Sequence, residues 1–177
     1  ALIFQVSCAQ KIPSDLSKEP IIPKPVSITP TGDYFTLKPG TDIYVQGESE
    51  ELIKIGQYLA DRLRPSTGYK FEVKNTVKEP GRGIFLTLTG VENGDEEYEL
   101  IITTKLVKLS AGSPAGLFRG VQTIRQILPA EIELAEKQEG PWKIATGTIN
   151  DQPDYSYRGA MLDVSRHFFG VDDVKRF

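Results

Sequence analysis

Residues 113–129 encode a helix whose two ends are both written in the sequence, and that helix limits the architecture most. Ser113 is a capping residue, and Pro114 takes the first helical position, where its missing N–H costs nothing. Leu117, Val121, Ile124 and Leu128 recur along one face, widened by Phe118 and Ile127, and Pro129 closes the element. A helix with one apolar face must bury it against a second layer. The flanking sequence supplies strands for that layer. Tyr98–Thr103 and Leu106–Ala111 read as a hairpin around Thr104-Lys105, and Trp142–Asn150 as a further strand.

A second amphipathic helix precedes them. Ser49 is its N-cap, Glu50 and Glu51 suit its first turn, and Leu52, Ile55, Leu59 and Leu63 form its buried stripe. Pro65 is expected to stop it. Before this helix, VSIT, YFTL and DIYV are short strand-like runs broken by Pro30-Thr31-Gly32-Asp33 and Pro39-Gly40, the first two runs forming a hairpin. After it, the alternation in Tyr69–Lys74 and Gly83–Leu88 predicts two more strands, and 92–97 an acidic turn. The order β-β-β-α-β-β-β-β-α-β alternates too little for a doubly wound fold. It predicts an α+β domain: a mainly antiparallel sheet with two helices packed on one face. Gly116 and Gly120, four apart on the second helix, fit a close approach to the sheet or to a neighbouring domain.

Composition narrows the function. The 177 residues carry a net charge of −3, and the pI near 5.3 lacks the basic excess that nucleic-acid binding uses. A single cysteine, Cys8, forbids an internal disulfide. The opening ALIFQVSCAQ looks like the end of a signal peptide, with an apolar run leading to small residues and Cys8. Residues 1–18 are therefore read as a signal-peptide remnant, and Cys8 as a lipidation candidate. On this reading the protein is exported, as a periplasmic or outer-membrane lipoprotein of a bacterium. Gln5 sits where such signals carry an aliphatic residue. Residues 11–25 hold four prolines and suit an extended linker.

The carboxyl end reads YRGAMLDVSRHFFGVDDVKRF. An apolar run, Gly159–Leu162, leads to Asp163, Arg166 and the chain's one histidine, His167. Val171 to Arg176 then look like the opening of a helix, acids first and bases after. A strand followed by the start of a helix is the first half of a βα unit. This block resembles the first strand, loop and helix of the catalytic barrel in glycoside hydrolase family 20, the β-N-acetylhexosaminidases. SAGSPAGLFRGVQTIRQILP resembles the helix of the domain that precedes that barrel in the same family.

The resemblance implies a division into a family-type α+β domain over 19–152 and a truncated start of a (β/α)8 barrel over 153–177. It implies a parent enzyme that releases terminal N-acetylglucosamine or N-acetylgalactosamine from glycans or chitooligosaccharides. The implied mechanism is substrate-assisted and retaining, so no carboxylate nucleophile is needed. Its Asp-Glu pair belongs to a later barrel strand, so the 177-residue chain contains no catalytic residue and is expected to be inactive alone. Arg158 matches the family's sugar-gripping arginine, and a guanidinium presents fixed donors that suit sugar hydroxyls. The alternative for Arg158 is a structural pair with a carboxylate such as Asp163.

Asp163, Arg166 and His167 stand at the strand's C-terminal end, where barrels place their sites. They are read as supporting residues that fix the first loop, over a weaker reading of His167 and Asp163 as base and orienter. His167 lacks companion ligands for a metal, and no cofactor is expected. The partners are the glycan and the protein's own barrel. A different reading is a non-catalytic carbohydrate-binding or scaffold module, which would need exposed aromatics from among Trp142, Tyr34, Tyr44, Tyr69 and Tyr98.

Overall fold

Among the described residues, seven strands form one sheet in the order β1-β7-β5-β6-β4-β2-β3. The computed structural model describes residues 15–89, 96–164 and 166–176. The strands are β1 (Ser27–Thr36), β2 (Ile43–Gln46), β3 (Val73–Thr76), β4 (Gly83–Leu88), β5 (Tyr98–Ile102), β6 (Leu106–Ala111) and β7 (Lys143–Asp151). The helices are α1 (Glu50–Thr67), α2 (Pro114–Ile127) and α3 (Val171–Arg176).

The sheet is mixed, and the expectation of a mainly antiparallel one is corrected. β1/β7, β7/β5 and β5/β6 pair antiparallel, whereas β6/β4, β4/β2 and β2/β3 pair parallel. The reason lies in the connections. α1 carries the chain from β2 to β3, and a helical crossover returns it in the same direction. The tight turn Thr103–Lys105 makes β5 and β6 antiparallel neighbours, and that hairpin forms as predicted.

Both helices lie on one face. Register aligns Val45, Leu86, Leu109, Leu100 and Ile149 in a row across the sheet. α1 meets that row at Gly56, where an added Cβ would lie 3.0 Å from Val45. α2 meets it at Gly120, where an added Cβ would lie 2.2 Å from Leu109. Gly116 sits as close, its Cβ position 2.3 Å from the carbonyl oxygen of Glu97. These glycines let α2 settle onto the sheet itself. Ser113 caps α2 by accepting from the Gly116 amide at 3.2 Å.

Three local expectations change. The two runs before β2 are one strand, not a hairpin. β1 continues through Pro30–Asp33 as a bulge, because Pro30 faces Gly147 while Tyr34 already faces Ala145. The buried hydroxyl of Thr146 accepts from the Asp33 amide at 2.9 Å and from the Thr31 hydroxyl at 2.8 Å, which holds the extra residues in place. Pro65 does not stop α1. The last turn is held by Thr67, whose hydroxyl donates to Leu63 O at 2.6 Å, and by Ser66, whose hydroxyl donates to Ile132 O at 2.8 Å. α1 ends at Gly68, in the left-handed region at φ 69°. The strand expected over Tyr69–Lys74 starts only at Val73. Phe71 is buried with φ 43°, and Arg64 donates to the carbonyls of Lys70 (2.7 Å) and Phe71 (2.8 Å). A tertiary anchor thus overrides the alternating pattern.

The run Gly159–Leu162 forms no strand, and α3 follows it as expected. Tyr157, Met161 and Phe168 are 88%, 89% and 94% exposed. A strand needs a neighbour for its backbone and a layer for its apolar face, and no sheet strand pairs with this run among the described residues.

Candidate functional site

Arg158 lies just beyond the end of β7, over the N-terminal end of α2. Its guanidinium donates to the Tyr155 carbonyl and to Glu96 Oε2. Arg119, one turn into α2, donates from Nε (2.8 Å) and Nη2 (2.5 Å) to the other oxygen of the same carboxylate. The two guanidiniums, Arg158 first, hold the Glu96 carboxyl below its usual range. Glu96, Glu97, Arg119, Gln152, Tyr155 and Tyr157 line an open cleft of about 860 Å³ beside Arg158.

Arg158 therefore has a carboxylate partner, but it is Glu96 and not Asp163. The sequence marks 92–97 only as an acidic turn, and the pairing spans 62 positions, so no local pattern could show it. Asp163 pairs with Arg166 at 3.4 Å, three positions along the chain. Arg166 and His167 are exposed. Among the described residues no group of three or more His, Cys, Asp or Glu is placed to hold a metal. Cys8 lies outside the described residues.

The aromatic candidates divide. Trp142 and Tyr98 are 2% and 3% exposed, so they are core and unavailable as a sugar platform. Burial pushes the Tyr98 hydroxyl's pKa up, and that hydroxyl shares a 2.6 Å bond with Thr123. Tyr69 packs on the core beside Phe71, with ring centroids 5.9 Å apart. Tyr34 and Tyr44 remain half-buried at the other end of the sheet.

Residues 18–152 match the family described as glycosyl hydrolase family 20, domain 2. A beta-hexosaminidase of Porphyromonas gingivalis is 34% identical over 99% of this chain and 23% of its own length. A beta-N-acetylhexosaminidase of Cellulomonas fimi is 35% identical over 88% of this chain and 30% of its own. Among solved structures, the Streptomyces plicatus N-acetyl-beta-hexosaminidase in complex with Thio-NAglucal superposes with a TM-score of 0.80 and 49% identity, covering 89% of this chain and 31% of that one. The chain spans less than a third of the length of each of these relatives. With the family match covering most of its residues and its fold shared at that level, the chain belongs to glycoside hydrolase family 20.

Proposed function

We propose that this chain is the α+β domain and the start of the catalytic barrel of a β-N-acetylhexosaminidase that acts on glycans or chitooligosaccharides ending in N-acetylglucosamine or N-acetylgalactosamine. The observation that carries the reading is the Porphyromonas beta-hexosaminidase alignment, which runs over 99% of the chain and so takes in Arg158 and the segment after it. In the proposed reaction the sugar's own acetamide oxygen attacks the anomeric carbon. A barrel Asp-Glu pair orients the acetamide and moves the proton, and the configuration is retained.

The exposed Tyr157, Met161 and Phe168 support the barrel assignment, because apolar side chains in this number require a partner layer. On this reading Gly159–Leu162 becomes the first barrel strand once neighbouring strands pair with it, and the domain over 19–152 braces the barrel. Arg158 then exchanges the Glu96 carboxylate for hydroxyls of the terminal sugar. Asp163, Arg166 and His167 fix the loop after the strand. We also read the leader before Cys8 as an export signal. Palmitate labelling that disappears in Cys8→Ser supports lipidation, and unlabelled soluble protein from the native host overturns it.

Arg158→Ala in the longer enzyme tests the site. Losing two charge-assisted hydrogen bonds should cost about 3–6 kcal/mol of transition-state binding, on the order of 10²–10⁴ in kcat/KM. Arg158→Lys keeps the charge without the fork and should recover little. A folded Arg158→Ala enzyme with near-wild-type kcat/KM removes Arg158 from the site.

A further inference from the structure

At the opposite end of the sheet from Arg158 lies a second cleft of about 1090 Å³. Topology makes it. β1 is an edge strand and β2 lies near the other edge, so residues 37–42 must cross the sheet end between them. The crossing is fixed at both ends: the Leu37 amide donates to Trp142 O at 2.9 Å, and Asp42 O accepts the Ile84 amide at 3.0 Å. The opposite wall is fixed too, since the Gly83 amide donates to Lys105 O at 2.9 Å and so ties the start of β4 to the β5–β6 turn. At Gly83, with φ 103°, a Cβ would lie 2.7 Å from Asp42 O and 3.1 Å from the Tyr44 ring. Glycine there lets Tyr44 lie against the wall.

The charge of this cleft opposes that of the chain. Lys38, Arg82 and Lys105 line it, all exposed, and none forms an ion pair among the described residues. Two acids line it with them: Asp42 is held by Lys74 at 2.7 Å, a lysine that also pairs with Glu72 at 3.1 Å, and by the Tyr44 hydroxyl at 3.4 Å. Asp33 accepts the Tyr34 amide at 2.7 Å. Lys143 adds a further cation 5.8 Å from the centre of the Tyr34 ring. Three cations thus stand against the two carboxylates of the lining, Asp33 and Asp42, on a protein of net charge −3, and an excess of one sign of charge in a cleft favours the opposite sign in its ligand. Tyr34 and Tyr44 offer an apolar ring with a polar tip, which matches the mixed surface of a sugar.

We propose that this cleft binds an anionic saccharide segment, one bearing sulfate or uronic carboxylate groups, with Lys38, Arg82 and Lys105 meeting the anions and Tyr34 and Tyr44 meeting the sugar rings. The choice of saccharide rests on membership of a glycoside hydrolase family and not on the proposed reaction. Hydrolysis of an aryl N-acetylglucosaminide by the longer enzyme is independent of the cleft, so the two readings fail separately.

The test is an amide-resolved NMR titration of the 177-residue chain. The probes are a chondroitin sulfate tetrasaccharide, a hyaluronan tetrasaccharide (carboxylate only), neutral chitotetraose and inorganic sulfate. The anionic tetrasaccharides should shift the Tyr34, Tyr44 and Gly83 amides, and the tighter of the two identifies the preferred anion. Chitotetraose should bind about tenfold or more weakly, and so should both anionic probes to the Lys38→Gln/Arg82→Gln/Lys105→Gln variant, as expected for three exposed ionic contacts together. The variant should unfold at the wild-type midpoint, because these side chains have no ion-pair partner to lose. Equal binding of chitotetraose overturns the inference, and so does unchanged binding by the variant. Inorganic sulfate binding as tightly as the sugars would show a bare anion patch and overturn it too, as would shifts confined to other residues or no binding at all.

Discussion

β7 and the segment from Tyr157 to Val164 look alike in sequence and fare differently in the fold. Each is a short apolar-rich run flanked by polar residues, and each reads as a strand. β7 lies between β1 and β5, and Ile144, Ala145 and Ile149 are at most 2% exposed. The later run has no strand beside it among the described residues, and Met161 is 89% exposed. β7 carries the β-branched Ile144, Thr146, Thr148 and Ile149 where the later run has Gly159, Ala160, Met161 and Leu162, and the neighbour separates them further: a strand is completed by backbone partners and a covering layer that its own residues cannot supply.

The sharpest way to break this comparison is limited proteolysis of the 177-residue chain. Residues after about 152 should be removed while the sheet and the first two helices persist as one resistant band, since cleavage needs locally unprotected backbone. Equal resistance of the tail would mean it is packed on the domain and the contrast is false.

Core truncation should show the next largest effect. Leu109 is fully buried against α2, so Leu109→Ala should lower stability by about 2–5 kcal/mol in urea unfolding. A loss under about 1 kcal/mol would show that the α2–sheet contact is loose.

Acid sensitivity should be smaller and should also map to the domain. Arg125 on α2 donates to Glu133 at 2.8 Å and holds its carboxyl below the ordinary 4.5. A depressed carboxylate contributes stability above its unfolded pKa and loses that contribution as pH falls from about 4.5 through the folded value. Glu133→Gln should therefore be less stable than wild type at pH 7, with the gap closing at lower pH. A gap that is constant from pH 7 to pH 3 would remove the ion pair as its cause.

The smallest effect is expected in the tail. Met161→Ala should change the unfolding free energy by no more than about 0.5 kcal/mol, because an exposed side chain leaves no cavity. A loss comparable to that of Leu109→Ala would place Met161 in a core and overturn the exposed tail.

Much of the domain was legible locally. Both long helices could be placed from their caps and stripes, and β4, β5 and β6 from alternation and a turn. Family membership was legible too, in the blocks around Arg119 and Arg158. The misses share one origin. Pro65 reads as a stop, yet Ser66 and Thr67 carry α1 past it through buried bonds, one of them to Ile132. Pro30–Asp33 reads as a turn, yet Thr146, more than a hundred positions away, makes it a bulge.

By itself, then, the sequence determined what rests on neighbouring residues: helix faces and caps, the one tight hairpin, the acidic balance of the chain and the motifs that mark its family. Tertiary structure alone decided the parallel half of the sheet, the Glu96 carboxylate shared by Arg119 and Arg158, and the crossing loop that gathers Lys38, Arg82 and Lys105 around one cleft. Propensity and capping act over a few residues, whereas strand order, ion pairing and cleft charge depend on which distant segments the packed core brings together.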